Sequence, residues 1–392
     1  LSELEARDVG KPLTQARADV VALARYFEFY GGAADKVHGD TIPYQNGFTV
    51  LTLYEPHGVT GHIVPWNYPM QILGAALAMG NAAVVKPAEE ACLTILEFAR
   101  IAEAEGLPAG ALNVVTGYGA EAGAALAGHA DVNHISFTGS VRTGEMVQAA
   151  AARNAVPVTL ELGGKSAQVV FADADLDRAV PFLVNAGIQN AGQTCSASSR
   201  ILVERPVYEE VVARMSEGYR ALKVGPAARD LSVGPVVSER QKAIVEDFLA
   251  DAARDGLKIA ARGVVVDDAP AGGAYVAPTL LRDVPHGHRL GQGEIFGPVQ
   301  GILPLDGEDD AGRLANDPPC GIVCGVWTND GARQLRMARA VQAGQVFINN
   351  YGAGGGVELP FGGVKKSGHG REKGFEALYG FAGMKTISVY HG

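Results

Sequence analysis

The feature that most limits what this chain can fold into is a regular alternation of short apolar strands and amphipathic helices. Residues 82–85 read as a strand and 91–105 as a helix; 112–115, 134–137 and 156–161 read as further strands, with helices over 119–127 and 144–153. A second series places strands at 167–171 and 199–203, helices at 176–190 and 207–222, and a late strand at 345–349. Short connections marked by Gly or Pro leave each strand parallel to the next, with the helices packed on both faces of the sheet. The expected class is therefore α/β, built from two such units. Outside the rhythm, 13–30 has helical spacing from Val20 to Phe29, and 47–64 reads as a β-hairpin around Pro56-His57-Gly58. A final strand at 385–390 has nothing after it to pair with, so the hairpin and this tail are expected to meet a second subunit through their open edges.

Composition narrows the function classes. With 392 residues and 47% hydrophobic content the chain can bury proper cores, which excludes a disordered protein. A formal net charge of −10 argues against a nucleic-acid partner or an anionic membrane surface. No uninterrupted apolar run reaches the roughly 18 residues of a membrane span. Four cysteines are too few for a disulfide framework, and the N-terminus lacks the apolar core of a signal peptide; a reduced, cytoplasmic setting is expected.

Several short stretches carry candidate chemistry, each with a plainer alternative. Phe137-Thr138-Gly139-Ser140, followed by Gly144, lies between a strand and a helix, where backbone N–H groups and the Ser140 hydroxyl suit a pyrophosphate; the alternative is an ordinary N-cap. Gly117-Tyr118-Gly119 with Gly123 is one residue too long for a dinucleotide fingerprint, and Gly164-Lys165-Ser166 lacks the upstream glycine of a P-loop because Thr159 stands there. Gly192-Gln193-Thr194-Cys195-Ser196 sets a thiol among small polar neighbours that leave room for a carbonyl; most isolated cysteines, Cys92, Cys320 and Cys324 among them, read instead as inert core residues. Glu161 ends an apolar strand beside glycines and fits a general base, or else a solvated carboxylate. Asn67, in Pro65-Trp66-Asn67-Tyr68-Pro69, fits an oxyanion donor or an Asx-turn. Neither the Cys320/Cys324 spacing nor His286 and His288 make a metal site. Together, a thiol, a carboxylate, an amide donor and a phosphate turn describe thiolate addition to an aldehyde, hydride loss to a nicotinamide, and thioester hydrolysis by base-activated water.

At these residues the chain resembles the aldehyde dehydrogenase superfamily, the non-phosphorylating NAD(P)-dependent type. The matching stretches are PWNYP (65–69), KPAE (86–89), FTGS (137–140) with Gly144, ELGGK (161–165), GQTCS (192–196), EIFGPV (294–299) and PFGGVKKSGHGRE (360–372). The resemblance implies a Rossmann-type cofactor domain (1–46 and 65–163), an α/β catalytic domain (164–384) and a small β oligomerisation element (47–64 and 385–392). It implies Cys195 as nucleophile, Glu161 as deacylation base, and Asn67 with the Cys195 N–H as oxyanion hole. Lys86 and Glu89 would hold the adenosine ribose, Ser140 the pyrophosphate, and Glu294 the nicotinamide ribose with Phe296 alongside. Trp66, Phe137, Gly139 and Leu162 would complete the cofactor side. NAD is expected over NADP, since a carboxylate at 89 repels a 2′-phosphate; a homodimer or homotetramer and a small-molecule aldehyde substrate are expected, with no metal.

Three departures stand out. The early part of the family pattern, about 80–100 residues, has no counterpart; the stretch from Pro69 to Leu77 is about four residues short; and Gly293 stands where an acidic residue commonly precedes EIFGPV. Rival readings are a catalytically silent relative, a thiol-dependent esterase and a coenzyme-A-acylating relative. The first is countered by the presence of Cys195 and Glu161, the second by the cofactor stretches, and the third by a carboxylate that activates water.

Overall fold

The computed structural model describes residues 1–70, 73–352 and 356–392. After β1 (Thr41–Ile42) and β2 (Phe48–Pro56), the chain enters its first large sheet with β3 (Val59–Ile63), β4 (Ala82–Lys86), β5 (Leu112–Val114), β6 (His134–Gly139) and β7 (Val158–Leu162). These five run parallel in the order β7-β6-β3-β4-β5. The chain thus steps outward from β3 in one direction, then returns to build β6 and β7 on its other side. The strand order reverses between β3 and β6, and this is where an open α/β sheet leaves a crevice beyond the carboxyl ends of its strands.

The second sheet contains β8 (Ala167–Val170), β9 (Arg200–Glu204), β10 (Lys258–Arg262), β11 (Thr279–Arg282), β12 (Val299–Leu305), β13 (Val323–Trp327) and β14 (Gln345–Ile348), in the order β10-β11-β12-β9-β8-β13-β14. All neighbours are parallel except β10, which pairs antiparallel with β11 at one edge. Strands β8, β9 and β13 are buried nearly throughout, as expected where helices cover both faces. Among the polar exceptions, Trp327 Nε1 donates to Gln168 Oε1 at 2.7 Å, inside the largest apolar cluster. Short β15 (Gly368–His369) adds an antiparallel edge to β7 of the first sheet, although its residues fall in the stretch expected to belong to the catalytic domain.

The expected hairpin over 47–64 is corrected. Strands β2 and β3 do not pair with each other. β2 pairs with β1 and, over nine residues from Phe48↔Tyr390 to Pro56↔Ala382, with the C-terminal strand β16 (Ala382–Tyr390). β3 is instead flanked by β4 and β6. The burial patterns give the reason: β3 is covered on both faces, whereas β2 retains exposed positions suited to a separate three-stranded sheet. Pro56-His57-Gly58 is a passage between sheets, with the Gly58 N–H held by Asn81 Oδ1 at 3.0 Å and the Val59 N–H by Asn133 Oδ1 at 2.9 Å. The tail strand, begun at 382, has found its partner within the chain.

Helices Ser2–Val9 and Leu13–Ala33 lie against the first sheet and the C-terminal segments. They are joined by Lys11, fully buried, whose Nζ donates at 2.6 Å to both Glu5 and Asp19 and stands 4.4 Å over the Tyr68 ring. Two tyrosines of the longer helix reach further: Tyr26 donates to the carbonyl of Glu372 at 2.7 Å and Tyr30 to that of Gly374 at 2.9 Å. The shortened stretch after Pro69 includes Gln71 and Ile72, which lie outside the described residues; the helix that follows, Gly74–Ala78, packs on Tyr26 and Tyr30. Among the described residues no helix is long and apolar enough to cross a membrane.

Removing the ammonium of Lys11 would leave two carboxylates buried without a counter-charge, which costs about 3–5 kcal/mol. Lys11→Met is therefore expected to lower the denaturation midpoint strongly, and the triple variant with Glu5→Gln and Asp19→Asn to recover most of the loss. Urea unfolding followed by circular dichroism checks both.

Candidate active site

The strand-order reversal positions the first half of the site. The chain leaves β3 through Pro65, Trp66 and Asn67, and leaves β6 through Gly139 and Ser140; all five line one cavity of about 340 Å³. Ser140 caps the following helix, Val141–Ala152, by accepting from the Thr143 N–H, so the ordinary N-cap is real and the first-turn N–H groups stand at the cavity. From β7 comes Glu161, 1% exposed, with neither carboxyl oxygen hydrogen-bonded among the described residues. Burial, aggravated by the neighbouring Glu372, holds its carboxyl well above the usual carboxylate range.

The second half comes from the other sheet. Cys195 precedes β9 and Glu294 precedes β12, so the carboxyl ends of one sheet meet the amino ends of the other across the same cavity. Burial, with Glu161 and Glu294 nearby, pushes the Cys195 thiol up to about 12. That value does not single it out, because Cys324, buried within strand β13, is pushed equally high. The cavity does single it out: of the four cysteines only Cys195 lines it. Asn67 donates to the Gln193 carbonyl at 3.1 Å, which seats its amide beside the cysteine loop and leaves a second N–H on the cavity side.

The cysteine loop is built on three successive left-handed residues, Asn190 (φ 49°), Ala191 (φ 54°) and Gly192 (φ 73°). Two of them are not glycine, a conformation that persists only where the surroundings enforce it. Here Gln193 enforces it. Fully buried, it accepts at 2.8 Å from the Val237 N–H through Oε1 and donates to the Asn190 carbonyl at 2.9 Å through Nε2, while Asn190 Nδ2 donates to the Gln193 carbonyl at 3.2 Å. Gly192 has no alternative, because a Cβ there would stand 2.1 Å from the Gly297 carbonyl oxygen.

The remaining expected residues divide into wall and support. Glu294 accepts from the Gly164 N–H at 3.1 Å, and burial pushes its carboxyl up to about 7. Phe296, itself at φ 54°, meets Trp66 edge-on at 5.5 Å, and both line the cavity. Phe137 and Leu162 do not: both belong to the apolar core beneath, where the Phe137 ring underlies Gly139 and Leu162 packs on Gly144. Their side chains support the glycines of the wall, and what either residue offers a cofactor comes from its backbone. Lys86 and Glu89 lie at and just beyond the carboxyl end of β4, one strand further from the reversal, with Lys86 Nζ 3.3 Å from Glu89. Burial works against the charge on Glu89, but the Gly119 N–H and Lys86 outweigh it and hold the carboxyl below its usual range.

Four contributors escaped the sequence reading. Gln241 and Ile244 of the helix Glu239–Arg254 line the cavity, Gln193 holds the cysteine loop, and Glu372 accepts from Thr138 Oγ1 at 2.8 Å beside Glu161. Gln193 and Glu372 stood inside quoted stretches, and the only local sign was a polar residue in a run of small ones. A second cavity of about 160 Å³ is lined by Tyr68, Gln189 and Val357, near the positions expected to face a substrate; residues 353–355 of that expected wall lie outside the described residues. Among the described residues no three potential metal ligands cluster.

Gly192→Ala is expected to leave the circular dichroism spectrum native while displacing the sulfur, and a 1 Å misplacement costs about 100-fold in turnover. A steady-state aldehyde assay on the purified variant measures it.

The chain is similar to known proteins over its whole length. The Aldehyde dehydrogenase family profile matches residues 1–387. Cytosolic aldehyde dehydrogenase 1 of Rattus norvegicus is 39% identical over 396 residues, covering 99% of this chain and 78% of that protein. A crystal structure of a putative aldehyde dehydrogenase from Burkholderia cenocepacia superposes with a TM-score of 0.98 at 65% identity, over 100% of this chain and 83% of the other. The NAD+ complex of an aldehyde dehydrogenase from Bacillus cereus superposes at 0.96 with 37% identity, over 100% and 80%. The chain belongs to the aldehyde dehydrogenase family, whose members oxidise aldehydes to carboxylic acids.

Proposed function

We propose that the chain oxidises a small-molecule aldehyde with NAD through a covalent Cys195 thioester. The observation that carries this reading is that Cys195, Glu161, Asn67 and Glu294, contributed by two different sheets, converge on a single cavity. The Cys195 thiol loses its proton to solvent, Sγ adds to the aldehyde carbon, and the developing oxyanion takes hydrogen bonds from Asn67 Nδ2 and the Cys195 N–H. Loss of hydride converts that adduct to a thioester. Glu161 then takes a proton from water as the water attacks the thioester carbon, releasing the acid and the thiol. A carboxyl raised by burial is a stronger base once ionised than a solvated one, which suits this last step.

The residues present fit a nicotinamide dinucleotide. Glu161 and Lys165 carry buried polar atoms without partners among the described residues, Glu294 faces the cavity, and the helix start at Ser140 offers N–H groups to a pyrophosphate. A nicotinamide dinucleotide held by these residues would supply the acceptor for the hydride. Lys86 and Glu89 would hold the adenosine ribose, and the ionised Glu89 favours NAD by repelling a 2′-phosphate. A dimer or tetramer is supported by the nine-residue edge strand β16, with Met384 and Tyr390 60% and 70% exposed. A cytoplasmic location suits a reaction that needs a free thiol.

Stopped-flow measurement of NADH formation tests the mechanism. Cys195→Ala abolishes turnover. Glu161→Gln keeps a stoichiometric burst but slows the steady state by about 100-fold or more, because only deacylation needs the base. A Glu161→Gln enzyme with no burst, or turnover surviving Cys195→Ala, overturns the reading. For the cofactor, kcat/KM is expected to be higher with NAD than with NADP, and Glu89→Gln to narrow the ratio. Sedimentation at micromolar concentration is expected to show no stable monomer.

A further inference from the structure

Cys195 sits at the second position of a four-residue turn, Thr194-Cys195-Ser196-Ala197, closed by the Ala197 N–H donating to the Thr194 carbonyl at 3.0 Å. Where the sulfur of such a turn points depends on how its two arms are held. The incoming arm is held at the Gln193 carbonyl, which accepts from Asn67 Nδ2 at 3.1 Å and from Asn190 Nδ2 at 3.2 Å. The outgoing arm is held at the Ser196 carbonyl, which accepts from the Tyr351 hydroxyl at 2.6 Å. Further on, the Ser198 N–H donates to the Ala186 carbonyl at 3.0 Å and the Ser198 carbonyl accepts from Gln300 Nε2 at 2.6 Å. The thiol thus lies between two gripped carbonyls, and the reaction as written gives a part only to the residues at the first.

Tyr351 is itself firmly placed. The chain leaves β14 through Asn349, left-handed at φ 53°, whose side chain clamps the end of β13 in both directions. Asn349 Nδ2 donates to the Thr328 carbonyl at 2.9 Å, and Oδ1 accepts from the Thr328 N–H at 3.0 Å. Thr328 Oγ1 is tied in turn to Asp173 at 2.9 Å. Two residues after this clamp comes Tyr351, 7% exposed, in an apolar cluster with Ala186, Ile322 and Phe361 against which Cys195 packs. The Phe347 ring meets the Tyr351 ring edge-on at 6.2 Å. Burial pushes the phenol up to about 12, so the hydroxyl stays a donor at neutral pH. Among the described residues Tyr351 lines neither of the two cavities, so it acts through the backbone it holds and not on a reactant. Ser196 is buried, and its carbonyl, deprived of this donor, has no solvent to turn to.

We propose that Tyr351 is a positioning residue for the nucleophile: its hydroxyl, by gripping the Ser196 carbonyl, fixes the outgoing arm of the turn that presents Cys195 to the 340 Å³ cavity. The proposal rests on the role given above to Cys195. With Asn67 on the incoming arm and Tyr351 on the outgoing one, the sulfur is registered against both sheets at once, since Asn67 follows β3 and Tyr351 follows β14.

The test uses stopped-flow NADH bursts at saturating NAD in a Glu161→Gln background, where deacylation is held back and the burst reports sulfur addition and hydride loss alone. Tyr351→Phe keeps the ring and removes only the hydroxyl. In that background it is expected to retain a stoichiometric burst while the limiting burst rate falls about tenfold, as a sub-ångström displacement of the sulfur would cause. The aldehyde concentration giving half the limiting rate is expected to stay within about twofold, because the hydroxyl takes no part in ground-state binding. Phe347→Leu trims the same cluster without touching the Ser196 carbonyl, and its limiting rate is expected to stay within about twofold of the parent. A general loosening of the fold instead lowers the burst amplitude and slows both variants alike. An unmoved limiting rate in Tyr351→Phe, a fall confined to the amplitude, or equal slowing in Phe347→Leu overturns the role of Tyr351 while leaving the thioester reading intact. A Glu161→Gln parent with no burst, or turnover that survives Cys195→Ala, overturns both.

Discussion

The whole arrangement depends on how closely two backbones pass where the first sheet hands over to the second. Only four residues separate β7 from β8, and within them Gly164 lies so near the cysteine loop that a Cβ would stand 2.6 Å from the Cys195 carbonyl oxygen. That crossing brings Glu161, at the end of one sheet, to the same cavity as Cys195, ahead of a strand in the other. A side chain at 164 would part them. Neither sheet lines the cavity by itself, so the site exists only while the crossing is tight.

A second consequence of this tight crossing is electrostatic. Glu161, Glu294 and Glu372 are all pushed upward by burial, and the Cys195 thiol with them. Glu161 is raised further by Glu372, and the thiol by all three carboxyls, because a like charge in a poorly hydrated space costs more than in water. The site therefore resists carrying several negative charges at once, and any cation that enters the cavity acts against that tendency.

The class of fold was legible because alternating apolar strands and helices leave few arrangements, and most of the named strands fall within a residue or two of the structure. The failures share a cause. The run at 47–64 has the local pattern of a hairpin, and only the tertiary partners of β2 and β3, more than 300 residues away for one and within the first sheet for the other, separate them. Which way Phe137 and Leu162 face was equally hidden, since a short motif does not reveal it; both side chains turn inward beneath the glycines that reach the cavity. Gln193 was invisible for a different reason. Its importance lies in holding three left-handed residues, and backbone angles leave almost no mark on a sequence when two of those residues are Asn and Ala.

Burial of the Cys195 sulfur has an effect beyond catalysis. Peroxide attacks thiolates far faster than thiols, and the first product is driven on to irreversible sulfinic and sulfonic acids. A sulfur that stays protonated in the idle site is a poor target for such attack. The burial and nearby carboxyls that hold the proton on this sulfur thus also shield it from oxidants.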